Sequence, residues 1–205
     1  MKTTFYAEFC GRNFLMHDLE PFYNWRDFYI SEEDKLSPFF EREYSEFEFQ
    51  NTIYNYYIHP QWDEFGSPTL YLKVLFADYE KHFVIIEFIG EWNDAIQNDI
   101  MFLKRDVADE FIASGITKFI LIGENVLNFH GSDDSYYEEW LEDIRDKNGW
   151  IVIFNLREHV IDEMKKTRIG NYIHFGNLFN DINWRTVKPF YMHKMVEEIF
   201  PKMIE

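Results

Sequence analysis

Val84-Ile85-Ile86-Glu87-Phe88-Ile89-Gly90-Glu91-Trp92-Asn93-Asp94 is the stretch on which the fold turns. Apart from Glu87 its first six residues are apolar, a run of strand length rich in β-branched and aromatic side chains. Gly90 breaks the run, and at Asp94 the pattern changes. Asp94 with Gln97 three positions on is similar to a capping box, and Ile96, Ile100, Leu103, Val107 and Phe111 follow at spacings of four, three, four and four. Those spacings lay one apolar stripe along a helix. Gly115 is a suitable stop for it. A strand running at once into an amphipathic helix predicts an α/β chain.

The flanking sequence extends that reading. Upstream, Leu70–Phe76 is a second strand, joined to His82–Phe88 by Ala77-Asp78-Tyr79-Glu80-Lys81, a connection that suits a hairpin. Downstream, Lys118–Ile122 is a short apolar run, as expected of a strand covered on both faces. A helix fits Ser135 to Lys147, with Tyr137, Leu141 and Ile144 inward and Gly149 after it. Trp150–Phe154 is the next buried strand, Arg157–Lys166 a third helix with Val160, Ile161 and Met164 on one face, and Tyr172–Phe175 a short last strand. A packing helix follows from Phe190 through Met195, Val196 and Ile199 to Met203. Strands alternating with helices at this spacing imply parallel pairs, and the opening hairpin makes the sheet mixed. The expected architecture over residues 69–205 is therefore a mixed β-sheet with alternating helices.

Residues 1–68 have a different texture. They hold 19 of the 41 aromatic side chains and carry 13 acidic against 5 basic residues. Prolines 21, 38, 60 and 68 punctuate them and helical periodicity is poor, so they are expected to form an aromatic, acidic extension that packs on the sheet. Within it, Ser31–Pro38 reads as a solvated loop with one helical turn capped by Ser31, while Phe47–Phe49 and Thr52–Ile58 carry strand-type residues. The whole chain has a formal net charge of −17. That charge disfavours nucleic acid and anionic membrane faces, which need a basic footprint. The N-terminus lacks an apolar leader, no apolar run approaches membrane-spanning length, and Cys10 is the lone cysteine, so neither an internal disulfide nor a thiolate cluster is expected. These features together point to the cytoplasm.

Residues 82–182 resemble the STAS domain, the fold of bacterial anti-sigma-factor antagonists and of sulfate-transporter tails. Val84–Asp94 is similar to the family's strand ending in Gly-Glu before the first helix. Lys118–Ile122 with Val126-Leu127-Asn128-Phe129 is similar to the strand and loop that carry its phosphosite, Asn148–Ile153 to its Gly-led fourth strand, and Val160–Ile182 to its third helix, short strand and terminal helix start. The resemblance covers about half of the chain and is one of topology and spacing. It implies a regulatory protein whose Asp-Ser-Ser-Gly serine is phosphorylated by a partner kinase. Here the corresponding stretch is His130-Gly131-Ser132-Asp133-Asp134-Ser135-Tyr136-Tyr137, without Asp-Ser-Ser-Gly. Ser132 or Ser135 would be the counterpart. Asp133 and Asp134 already place negative charge where the phosphate would go.

Three stretches carry chemistry, each with a plainer alternative. In Asn125–Trp140, the plain reading is helix capping by Ser135-x-x-Glu138 with Asp133 and Asp134 at the helix start; the other is a hard-cation or acid/base site of His130, Asp133, Asp134 and Glu138. In Ile58–Pro68, a Pro/Gly turn competes with a base-and-orienter pair of His59 with Asp63 or Glu64. Glu91 and Asp94 either face a ligand at the strand's carboxyl end or serve the next helix. His17, Asp18 and His159 stand alone in sequence. Two functions follow. The first is a non-catalytic regulatory or scaffold protein binding a protein partner through an acidic surface at Ser132, Asp133, Asp134, Ser135 and Glu138. The alternative is a small enzyme or ligand-binding protein that brings His59, Asp63, His130, Asp133 and Asp134 into one cleft. No resident metal or cofactor is expected for the first, and the aromatic extension is compatible with a homodimer.

Overall fold

The computed structural model describes residues 4–9, 12–45 and 51–203, with side chains over 19–45 and 51–201. A five-stranded sheet in the order β5-β6-β7-β8-β9 forms its centre. β5 (Leu70–Asp78) is antiparallel to β6 (Phe83–Asn93). β7 (Lys118–His130), β8 (Trp150–Phe154) and β9 (His174–Phe175) then add in parallel. Each parallel step crosses through a helical segment. The first is α1 (Asp99–Phe102) continued by a π-helical stretch Leu103–Ala108 and α2 (Asp109–Ala113); α3 (Ser135–Arg145) and α4 (Glu158–Lys165) are the next two. The mixed sheet and alternating helices are those that the sequence predicts, in the order the STAS resemblance implies.

A second sheet, in the order β1-β2-β4-β3, is built from β1 (Thr4–Phe9), β2 (Arg12–Leu19), β3 (Thr52–Ile53) and β4 (Tyr56–Ile58). The β1–β2 hairpin has no counterpart in the sequence reading. Expected strand residues Thr52–Ile58 form two short strands because Tyr54 turns the chain at a φ of 53°. Phe47–Phe49 and Cys10 lie outside the described residues.

Period-two alternation along β6 assigns the two faces of the central sheet. Val84, Ile86, Phe88 and Trp92 point to one face, where Leu103, Phe111, Tyr137, Trp140, Ile144, Val160 and Met164 cover them. All three crossovers thus lie on the same side. Phe83 and Ile85 point to the other face, together with Ile120, Ile122, Val152 and Phe154. That far face is covered by Trp25 from the N-terminal segment and by Phe179, Trp184, Met192 and Val196 from the C-terminal one, whose helix is α5 (Met192–Ile199). Ile53, Ile58 and Trp62 cover its remaining part over Tyr71, Ile89 and Leu127.

Several element boundaries differ from expectation, for local reasons. The first helix begins at Asp99, not at Asp94, because Asn98 reverses the chain at a φ of 57°. Ile96 is consequently not inward: it is 79% exposed. β7 runs through Gly123-Glu124-Asn125 to His130 without ending at Ile122, keeping its pairing with β6 across two irregularities. Ser31 caps nothing. It is buried, with its hydroxyl 2.7 Å from that of Ser37, and the 3-10 turn Ser31–Glu33 starts without a side-chain cap. Gly115 ends α2 as expected, at a φ of 94°.

Candidate functional site at the carboxyl end of the sheet

β6 and β7 reach the same end of the sheet, where Asn93 pairs with His130. The turn after β6 is pinned to β7, since the amides of Asp94 and Ala95 both donate to the His130 carbonyl, at 2.9 and 3.1 Å. Beneath it lies Asp94, expected at a helix N-terminus or facing a ligand and found instead as a buried anchor. Its Oδ1 accepts from the Trp92 indole at 3.0 Å and from the Ile100 amide at 2.9 Å, and its Oδ2 from the Tyr137 hydroxyl at 2.6 Å. Burial pushes the Asp94 pKa up to about 7, against the three donors that lower it. Asp99 beside it accepts the Asn93 amide at 2.7 Å, and burial raises its pKa as well. These buried carboxylates make the floor of the turn.

The residues above that floor face solvent. Glu91 does not serve the helix; it accepts the Tyr54 hydroxyl at 2.6 Å and the Asn93 amide side chain at 3.0 Å, and lies 3.5 Å from His130 Nε2. His130 is also within 3.1 Å of the Asn128 side-chain nitrogen. The anticipated capping box of Ser135 and Glu138 is absent. Asp134 occupies the cap position without bonding the helix amides through its side chain, and α3 is started by Asp133, whose Oδ1 accepts the Ser135 amide at 3.1 Å and the Ser135 hydroxyl. Those bonds hold the Asp133 pKa below its ordinary value. Asp134 accepts the Tyr172 hydroxyl at 3.3 Å. Ser132, Asp133, Ser135 and Glu138 are exposed, and Asp134 is half-buried.

His59 and Asp63 belong to another neighbourhood. Asp63 is buried, with Oδ1 bonded to Tyr44 and, at 3.2 Å, to Arg42, and Oδ2 3.3 Å from Lys73 Nζ. Burial raises its pKa in spite of those cations. His59 Nδ1 accepts the Gln61 amide at 3.2 Å, and its Nε2 lies 4.0 Å from Glu20. Asp63 bridges Leu72 on the outer edge of β5, Leu72 pairs with Phe88, and His130 pairs with Asn93. Three strand spacings and five residues of rise separate Asp63 from His130, roughly 20 Å. The single cleft required by the enzyme alternative is not formed. Among the described residues, no three His, Cys, Asp or Glu side chains come together as a metal ion would require. His159, solitary in sequence, bonds through Nε2 to the Leu127 carbonyl at 2.8 Å.

Sequence reasoning missed three members of this surface: Tyr54, Ile96 and Tyr172. Ile96 was readable in principle, because Asn93 and Asn98 on either side of it are poor helix-interior residues. Tyr54 and Tyr172 arrive from distant segments, and nothing local marks them.

No family model matches the chain, and no curated protein matches it in sequence. Solved structures similar to it include the anti-sigma factor antagonist SpoIIAA in its unphosphorylated form, at 11% identity and a TM-score of 0.41 over 52% of this chain and 88% of that one. The phosphorylated form of SpoIIAA from Bacillus matches at 11% identity and a TM-score of 0.37, over 52% and 91% of the two chains. A Thermotoga maritima protein assigned as an anti-sigma factor antagonist matches at 15% identity and a TM-score of 0.41, over 56% and 90%. Each of these likenesses covers about half of this chain. Among the described residues, no helix is long and apolar enough to cross a membrane.

Proposed function

We propose that the chain is a non-catalytic, cytoplasmic regulatory protein that binds a protein partner through the acidic carboxyl end of its STAS-like sheet. The observation that carries this reading is the build of the β7–α3 loop. Its two ends are held, by the Asp94 and Ala95 amides on the His130 carbonyl and by the Tyr137 hydroxyl on Asp94, while Asp133 and Glu138 are exposed and Asp134 half-buried; Glu91 stands at the end of β6 and the exposed Ile96 on the turn after it. A preorganised loop loses little freedom on binding. Acidic side chains on this loop suit a basic patch on the partner, steering its approach and fixing its register. Nucleic acid is disfavoured by the same charge.

The serines take unequal parts in this reading. Ser135 has its hydroxyl engaged by Asp133, which serves α3. Ser132 is exposed as well. Carboxylates at 133 and 134 supply permanent negative charge, so the surface is proposed to bind without phosphorylation. The test is co-purification from cells that produce the protein, comparing the unaltered chain with a D133K/D134K/E138K variant and with an E158K/D162K/E163K control on α4. Retention of a stoichiometric protein by the unaltered chain and the control, and its loss from the loop variant, is the expected result. Equal retention by all three would refute the assignment of the surface.

A further inference from the structure

A polar row crosses the otherwise apolar far face of the sheet. Lys73 of β5 and Glu87 of β6 are cross-strand partners, and Glu124 and Asn125 continue the row on β7. On one side of it two straps close over the sheet: residues 22–29, bringing Phe22 and Trp25, and residues 184–199, bringing Trp184, Met192 and Val196. The straps meet each other through edge-on aromatic contacts, Trp184 lying 4.8 Å from Phe22 and 5.3 Å from Trp25 between ring centres. Both are tied to Glu87. The Phe22 amide donates to Glu87 Oε2 at 2.8 Å, and Arg185 Nη2 lies 3.8 Å from Oε1. Asn125 adds a long contact of 3.5 Å.

Charges balance at one end of the row and not at the other. Lys73 and Arg42 face Glu32 and Asp63, two cations against two anions. Arg185 alone faces two carboxylates, and its guanidinium is already bonded through both terminal nitrogens to Glu124. Glu87 is the buried one, at 1% exposure. An ionised carboxylate there is removed from water and shares one guanidinium with Glu124, so a proton competes with Arg185 to neutralise it.

We propose that Glu87 is a proton-operated clasp: neutral, it lets both straps close on the sheet, and ionised, it loosens them. Burial first, and then the charge of Glu124, push its pKa up to about 7, while the Phe22 amide and Arg185 pull the other way. Because the closed-state pKa is raised, the contribution to closure is complete below the ordinary value of 4.5 and is lost as pH rises through about 7. Linkage with those two values weakens closure about tenfold between pH 6 and pH 8. The other titrating group against the straps has the opposite sign. His193 of α5 stacks on Phe83 at 4.8 Å, and burial lowers its pKa, with Glu197 and Asp78 opposing and Lys118 and Lys81 assisting, so it loosens the same strap on the acid side. Lys73, directly across from Glu87, stays engaged with Glu32 and Asp63.

Hydrogen exchange of the full chain tests the clasp, following amides 22–29 and 184–199 at pH 6 and pH 8 after correction for intrinsic rates. Protection should fall about tenfold in the unaltered protein and less than about twofold in Glu87→Gln. A tenfold fall that survives in Glu87→Gln, or no fall in the unaltered protein, overturns the proposal. Glu124→Gln supplies a second reading should Glu87→Gln not fold. With one carboxylate left for Arg185, the midpoint should move down by about half a pH unit or more. An unmoved or raised midpoint contradicts the clasp.

Discussion

At the scale of single residues, Gly90 and Asp94 show how the chain forms its acidic end. Gly90 sits inside β6 at a φ of 120°, and a Cβ there would lie 2.1 Å from the Thr69 carbonyl oxygen, against which the Glu91 amide is bonded. Gly90→Ala is therefore expected to cost about 3 kcal/mol or more, read as a lowered urea midpoint. Asp94 makes a pH-dependent contribution. Its folded pKa is raised from 3.8 to about 7, so the stability it contributes is full below about pH 4 and lost as pH rises through about 7. Asp94→Asn should flatten the unfolding free energy between pH 5 and pH 8, where one such group changes it by up to about 1.4 kcal/mol per pH unit. Tyr137→Phe removes a donor that favours the ionised form, and should cost about 1–3 kcal/mol and move the titration upward. If Asp94→Asn leaves the pH dependence intact, the burial argument fails. Both residues were visible in the sequence as punctuation after a strand. Their roles were not, because a three-residue spacing to Gln97 imitates a capping box while the partner that decides the matter, Tyr137, comes from 43 residues away in the chain.

At the scale of elements, the helical run after β6 carries an irregularity that periodicity conceals. Ile100, Leu103, Val107 and Phe111 are all buried, as their spacing predicts, yet Leu103–Ala108 is wound as a π-helix, with the Asp109 amide reaching back to the Lys104 carbonyl. The looser winding accompanies a fully buried Lys104. Its ammonium bonds to Asp109, lies 2.9 Å from Asp143 and 3.7 Å from Glu139, and so fastens this helix to α3. Those acids keep between 32% and 43% of their side-chain surface in water, so they can rehydrate if the lysine is lost. Lys104→Met, which keeps the apolar stem, is accordingly expected to change stability by less than about 1 kcal/mol, whereas Lys104→Ala costs about 2 kcal/mol or more through lost packing. A large loss in the Met variant would show that the charges, not the stem, hold the two helices. Strands and helices from 69 onward were legible because apolar period and length are local properties. The apolar run of β7 ends at Ile122, and Arg185 and Glu87 are what make Glu124 and Asn125 compatible with a continuing strand.

At the scale of the molecule, the sheet is a partition. Crossover helices cover one face, joined there by Phe39 and Phe65, and segments before β5 and after β9 cover the other. The aromatic richness of residues 1–68 thereby finds a physical use, as Trp25, Phe39, Trp62 and Phe65 are all buried. Sequence could not assign those aromatics to a face, since covering a sheet and forming an interface ask for the same residue types. Trp184 is the hub of the far face, 1% exposed and in edge contact with both Phe22 and Trp25. Trp184→Ala should cost about 3–5 kcal/mol in urea unfolding and expose enough apolar surface to bind a hydrophobic dye. Unchanged stability would mean that the straps are dispensable cover. The proposed partner surface lies at the sheet's end, away from the straps' aromatic contacts, so a partner should leave them in place. Hydrogen exchange on the complex with the co-purified partner tests this account most directly. It predicts added protection across residues 130–139, with 184–199 unaltered. Protection confined to the straps, with 130–139 exchanging as in the free protein, would contradict it.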